Sequence, residues 1–225
     1  GSTPGTTPDP TPDPTPTGSL NNTMYYDGTQ WCLMLEDFEG EDAVDRVKVE
    51  KGNDASATAT ATVVADPHGK SKKSLNFYGA FRSTTYCYID VTLPDSKTLS
   101  SFTNLKFDVV YDPAGTSNQY KWYTVKIGNT STKLDTSTEL GKFWSGDPNT
   151  TSWSQQSFSL GNNNKDLNTF RIFINTEWSS SSNLYIDNIR LSVDPTASDT
   201  CGSPTETDVN WMLDGNSKSL YISGK

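Results

Sequence analysis

From Leu33 onward apolar and polar residues alternate in short runs, most of them closed by Gly, Asn, Asp or Pro. A period of two sends alternate side chains to opposite faces, so each run reads as a strand with one side toward a core. The pattern predicts strands over Leu33 to Glu39, Val47 to Lys51, Ala57 to Val64, Ser74 to Tyr78, Tyr86 to Leu93, Asn104 to Tyr111, Trp122 to Gly128, Ser154 to Leu160, Thr169 to Asn175 and Leu184 to Ser192. No stretch holds the period of an amphipathic helix. The predicted fold is therefore all-β, a jelly-roll β-sandwich of two antiparallel sheets. Parity assigns Leu105, Phe107, Val109 and Tyr111, then Tyr123, Val125 and Ile127, to the inside. Ile89, Val91 and Leu93, with Phe170, Ile172 and Ile174, complete the expected core.

The two ends read differently. Residues 1–19, GSTPGTTPDPTPDPTPTGS, carry six prolines, six threonines and no aromatic residue. Such a segment has nothing to bury and reads as a disordered, extended tether. The sandwich is expected over 20–194. Residues 195–225 read as a second linker and a short hairpin, with Trp211-Met212-Leu213 and Leu220-Tyr221-Ile222 around Asp214-Gly215-Asn216. Whether that hairpin docks on the sandwich is open at this point.

Composition narrows the partners. The net charge of −9 argues against nucleic acid, whose recognition needs a basic face. No apolar run is long enough to span a bilayer, so no membrane insertion is expected. The apolar fraction is low at 32 %, yet 6 Trp, 10 Tyr and 9 Phe are enough for a core under a polar surface. The three cysteines allow one disulfide at most. Cys87 falls on inward parity and reads as a buried thiol, while Cys32 and Cys201 flank the globular region and are a candidate pair. The one histidine, His68, lies in a turn-like Asp66-Pro67-His68-Gly69 and reads as a solvated turn residue, which argues against a Ser-His-Asp triad and against a multi-histidine metal site.

Several large side chains fall on the wrong parity for the core. Tyr86, Tyr88 and Asp90 point outward on one strand, Trp122 on a second, and Arg171, Phe173 and Asn175 on a third. Tyr78 is outward on its own strand, and Trp178 follows Asn175 in a polar loop. A sugar ring accounts for such a set: its C–H face packs on Tyr or Trp, and its hydroxyls pair with Asn, Asp or Arg. Trp144 sits in another polar segment, and Trp153 reads as a packing residue.

The opening "DFEG" at Asp37 to Gly40 and the closing "YIDNIRL" at Tyr185 to Leu191 resemble the carbohydrate-binding modules of the galactose-binding-like jelly-roll group. The intervening "ADPHGKSKKSLNF" (65–77), "YIDVTLPDSKTL" (88–99) and "NLKFDVVYDPAG" (104–115) are similar to modules associated with glycoside hydrolase family 10 xylanases of gut bacteria. The resemblance covers roughly residues 33–193. It implies a secreted or cell-surface, monomeric, non-catalytic module that binds a polysaccharide, xylan first. It also implies a structural Ca²⁺ between the first and last strands, held by Glu39 and Asp187, with Asp37 as the alternative ligand by parity.

An enzymatic reading fares worse. The acidic cluster Glu36, Asp37, Glu39, Glu41 and Asp42 does not alternate as a pair of glycosidase carboxylates across a cleft must. A lyase would require Arg171 with Tyr86 or Tyr88 to serve as cation and base. The remaining alternative is a surface-displayed protein-interaction domain that uses the same exposed aromatics. The sequons at Asn21, Asn129 and Asn149 are expected by chance in a chain so rich in Asn and Thr.

Overall fold

The computed structural model describes residues 19–50, 58–80, 85–112, 122–144, 152–162, 164–176, 182–193, 197–201, 209–214 and 219–224. Most of the predicted tether and Trp178 lie outside the described residues.

Alternation produces strands close to those expected. The larger sheet contains β1 (Met24–Tyr26), β2 (Trp31–Glu36), β4 (Thr58–Ala65), β5 (Lys73–Ala80), β7 (Phe102–Asp112), β10 (Ser154–Ser159) and β12 (Ser182–Val193). The smaller has the order β3 (Val47–Glu50), β6 (Thr85–Thr92), β11 (Thr169–Thr176), β8 (Trp122–Gly128), β9 (Thr138–Trp144). All pairings are antiparallel. A four-residue helix, α1 (Ala43–Arg46), precedes β3.

The inner faces meet in one core. Leu105, Phe107 and Val109 of β7 face Tyr123, Val125 and Ile127 of β8 and Phe170, Ile172 and Ile174 of β11, all buried as parity predicts. Tyr123 and Phe143 stack at 5.1 Å, and Phe107 and Phe158 at 5.6 Å. Offset aromatic pairs of this kind add about 0.5–1.5 kcal/mol each beyond the area they bury. Cys87 is buried among them, and burial pushes its thiol up to about 12.

β12 organises the larger sheet. One edge pairs with β7 along nearly its whole length. The other edge is shared: Ser182 to Ile186 pair with β5, and Ile189 to Ser192 pair with β2. Between the two partners the register shifts, and Asn188 takes φ +51°, a left-handed conformation that Asn tolerates better than most residues. Phe38, fully buried after β2, also has positive φ, +56°, and its N–H is held by the Glu36 carboxylate at 2.8 Å. A bulky residue there carries about 1–3 kcal/mol of strain, which burial of the ring offsets.

The C-terminal segment forms a three-stranded sheet, β13 (Ala197–Cys201), β14 (Val209–Asp214) and β15 (Ser219–Gly224). β13 lies in a stretch that reads as linker because it has no alternating apolar residues. The sheet docks on the sandwich: Met212 belongs to the main core and Tyr221 packs 5.9 Å from Trp31. Its other face carries Leu213, Leu220 and Ile222, all exposed. Cys32 is a free, buried thiol that approaches the Asp27 carboxylate at 3.4 Å, so it is not half of a disulfide with Cys201.

Candidate functional site: the outer face of the five-stranded sheet

Register alone assembles this face. Asn175 lies between Tyr86 and Thr124, Phe173 between Tyr88 and Lys126, and Arg171 between Asp90 and Gly128. Inward neighbours fill the core, so these side chains stand together on the outside. At one end of the same face Trp122 is paired directly with Trp144.

Tyr86, Tyr88 and Phe173 form a triangle with ring centroids 5.9 to 6.3 Å apart. The Arg171 guanidinium lies 3.9 Å above the Tyr88 ring and grips Asp90 with two bonds, Nε to Oδ1 at 2.6 Å and Nη2 to Oδ2 at 2.8 Å. The Asp90 hydrogen bonds hold the Arg171 pKa above its ordinary value, so the group is permanently cationic. Stacked on the ring and clamped at the fork, it is presented in one orientation, an arrangement worth roughly 0.5–2 kcal/mol from the ring alone. Partial burial raises the Tyr86 hydroxyl, which therefore remains a proton donor at neutral pH.

The residues expected to meet a ligand divide into three groups. Tyr86, Tyr88 and Arg171 are partly exposed, and Trp122 is exposed. Phe173 and Asn175 have the expected parity but are buried, each at 1 %. Phe173 is thus a foundation under the two tyrosines rather than a contact surface. Asn175 differs, because its Oδ1 meets no donor although it is fully enclosed. A buried acceptor left unpaired costs about 1–3 kcal/mol. Tyr78 stands apart: it pairs with Thr60 and Asn183 on the other sheet, so it does not belong with Tyr86 and Tyr88. Trp144 is the residue the sequence left in a loop. The bulge at Leu140 hides the alternation of β9, yet the parity of Phe143 would have placed Trp144 outside.

The expected calcium ligands lie at the seam of the larger sheet, and each is engaged by protein donors. Asp187 accepts from Ser71 Oγ and the Asn188 N–H, both at 2.7 Å. Glu39 accepts from the Lys72 and Lys73 N–H groups at 2.8 and 3.1 Å. Asp37 accepts from Ser19 Oγ at 2.8 Å, from the Glu39 N–H at 3.1 Å and from the Leu20 N–H. Among the described residues no three carboxylate, cysteine or histidine side chains converge as a metal centre. These carboxylates fasten the 71–73 segment and the chain before β1.

Several neighbouring carboxylates are also paired. Glu36 is fully buried and takes Arg46 Nε at 2.6 Å and Nη2 at 3.0 Å. Asp108 pairs with Lys70 at 2.6 Å and Arg190 at 3.2 Å, and Lys106 approaches Asp27 at 3.5 Å. The sequence carries only a faint trace of this ionic network, the outward parity of Lys106 and Asp108. His68 lies exposed in its turn, where Asp66 accepts N–H bonds from His68, Lys70 and Ser71, each at 2.7 Å. Trp153 donates its indole N–H to the same carboxylate at 3.3 Å.

No protein-family model matches the sequence, and no curated relative matches it. Solved structures do match in fold. The family 11 carbohydrate-binding module from Clostridium thermocellum, solved with a β-1,3-1,4-mixed-linked tetrasaccharide, aligns at TM-score 0.48 and 16 % identity over 71 % of this chain and 94 % of that one. The C-terminal family 22 module of Clostridium thermocellum Xyn10B aligns at 0.48 and 13 %, over 78 % and 98 %. An exo-β-agarase aligns at 0.50 and 14 %, over 72 % of this chain and 25 % of that enzyme. At these identities the likeness is one of fold, a jelly-roll β-sandwich.

Proposed function

We propose that the chain is a non-catalytic carbohydrate-binding module that takes a plant β-glycan, xylan first, on the outer face of its five-stranded sheet. The observation that carries this reading is the composition of that face. Exposed indoles, two partly exposed tyrosines and an oriented Arg171–Asp90 pair lie together beside an amide oxygen that lacks a donor. Sugars need that combination: flat apolar platforms for the C–H faces and fixed polar groups for the hydroxyls. At the seam Glu36 is tied to Arg46, which takes it out of the acidic cluster that a glycosidase reading would draw on. An extracellular setting fits a module whose ligand is a polysaccharide.

Native affinity gels containing soluble xylan, mixed-linkage glucan or mannan test the proposal. The expected result is retardation by xylan that weakens in Trp122→Ala and Tyr88→Ala. Unretarded migration of the folded protein in every gel would count against glycan binding. It would favour the protein-interaction alternative, for which the exposed Leu213, Leu220 and Ile222 of the C-terminal sheet are the supporting observation.

A further inference from the structure

Arg171 carries five N–H donors, and Asp90 takes two of them, from Nε at 2.6 Å and from Nη2 at 2.8 Å. A guanidinium has edges that bond in parallel, a side made by Nε with one Nη and an end made by the two Nη atoms. Asp90 fills the side. The end stays open: among the described residues nothing accepts from Nη1, and that atom is not enclosed.

The direction of that end is fixed by what lies beneath it. The guanidinium carbon stands 3.9 Å over the Tyr88 ring and 5.9 Å from the Phe173 centroid. Tyr88 is in turn flanked by Tyr86 at 6.3 Å and Phe173 at 5.9 Å. With the cation lying on it, the Tyr88 ring supports Arg171 instead of offering that face to a sugar. Ring and clamp together present two parallel donors in one direction on the outer face.

The surroundings select a neutral acceptor for them. Asp90 already balances the guanidinium, and Glu139 stands opposite Lys126. Burial, and then the charges of Glu50 and Asp135, raise the Tyr86 hydroxyl, so both of those acids lie close to the tyrosines. An incoming carboxylate would meet these acids, whereas a pair of hydroxyl oxygens would not be repelled. Adjacent ring hydroxyls of a pyranose stand side by side, within joint reach of two parallel N–H groups. A 1,4-linked sugar keeps O2 and O3 free and adjacent. A 1,3-linked sugar, or one substituted at O2 or O3, does not.

We infer that Arg171 is a specificity-determining residue that reads the free vicinal hydroxyl pair of a 1,4-linked sugar through its Nη1–Nη2 end, with Asp90 and Tyr88 as positioning residues that act through it. This rests on the reading of the face as glycan-binding. Lysine cannot take the place of the arginine, because an ammonium is a point donor without a planar fork.

Affinity gels containing acetylated xylan, and the same polymer deacetylated by alkali, test the ligand side, since acetyl groups block O2 and O3 and leave the backbone in place. The full chain should bind the deacetylated polymer about tenfold more strongly, and Arg171→Lys should lose most of that preference. Isothermal titration with xylohexaose tests the protein side, on variants shown to be folded by circular dichroism. Arg171→Lys should weaken binding about tenfold, the size of one charge-assisted hydrogen bond. Tyr88→Phe keeps a ring under the guanidinium and should bind within about twofold of wild type. Tyr88→Leu and Asp90→Ala should each weaken binding, yet add nothing further in the Arg171→Lys background. Equal binding of the two polymers by wild type, an unchanged preference in Arg171→Lys, additive losses in the double variants, or a Tyr88→Phe loss equal to that of Tyr88→Leu would overturn the assignment and leave glycan binding standing. No retardation of the folded wild type by either polymer would overturn the assignment and the proposed function together.

Discussion

Replacing Asp187 with Asn should remove a pH dependence that this carboxyl imposes on the whole fold. Asp187 has no accessible surface, and burial, only partly opposed by hydrogen bonds from Ser71 and the Asn188 N–H, pushes its pKa from 3.8 to about 7. Between those two values the folded state holds a proton that the unfolded chain has released. Stability associated with the group is therefore complete below 3.8, is lost as pH rises through about 7, and is level above that. The full interval corresponds to about 4 kcal/mol at 1.36 kcal/mol per unit, an upper figure because the surroundings relax around a buried charge. Asparagine has the same shape and no charge at any pH, and its amide oxygen can accept from the Asn188 N–H while its nitrogen donates to Ser71 Oγ. Urea unfolding in one-unit steps from about pH 5 to about pH 9 measures the effect. The variant's stability relative to wild type should rise by about 2–3 kcal/mol between the acid and the alkaline ends. Parallel stability curves would refute the account and place the ionised carboxylate in a site that tolerates it.

Three further outcomes follow from the geometry. Calcium and a chelator should leave the melting temperature unchanged to within about a degree, because Glu39, Asp37 and Asp187 are engaged elsewhere; a shift of several degrees on adding calcium would show that they rearrange around the ion. Iodoacetamide at neutral pH should spare Cys32 and Cys87 in the native protein and modify both in urea, as read by peptide mapping, since burial pushes each thiol up to about 12; rapid native labelling would contradict their enclosure. Met212→Ala should cost about 2–5 kcal/mol in urea unfolding, the range for truncating a buried methionine, whereas a change within about 0.5 kcal/mol would mean that the C-terminal sheet does not share the core.

Strands and their inner faces were legible because alternation is a local signal. Trp122–Gly128 is observed with the bounds that its pattern gives, and the other expected strands differ by a few residues at their ends. The strands missed are those without that signal. β1 is three residues long, β9 contains the bulge at Leu140 that breaks its alternation, and β13 has no apolar series. The aromatic face was legible for the same reason as the core, since parity needs no knowledge of partners. Parity gives direction and not depth, so it could not separate Tyr88 at the surface from Phe173 beneath it, nor tell which sheet carries Tyr78. The carboxylates at the seam were hardest to read. Their hydrogen bonds join residues as distant as Ser71 and Asp187, and nothing in the spacing of "DFEG" and "YIDN" reveals which donors will reach them.

The sharing of one β12 edge by β5 and β2 divides the larger sheet into two panels hinged at Asn188. Either panel can open without breaking the ladder of the other, while the continuous β7–β12 pairing holds both. Amide protons along β7 and β12 should accordingly exchange last, with β4–β5 and β1–β2 opening as separate units. The chain just before β1 and the C-terminal sheet both attach to the β1–β2 panel, where Ser19 is tied to Asp37 and Tyr221 rests on Trp31. Tension applied through those attachments therefore runs into that panel and bypasses the five-stranded sheet. Trp122, Tyr88 and Arg171 stand on the half of the sandwich outside that path.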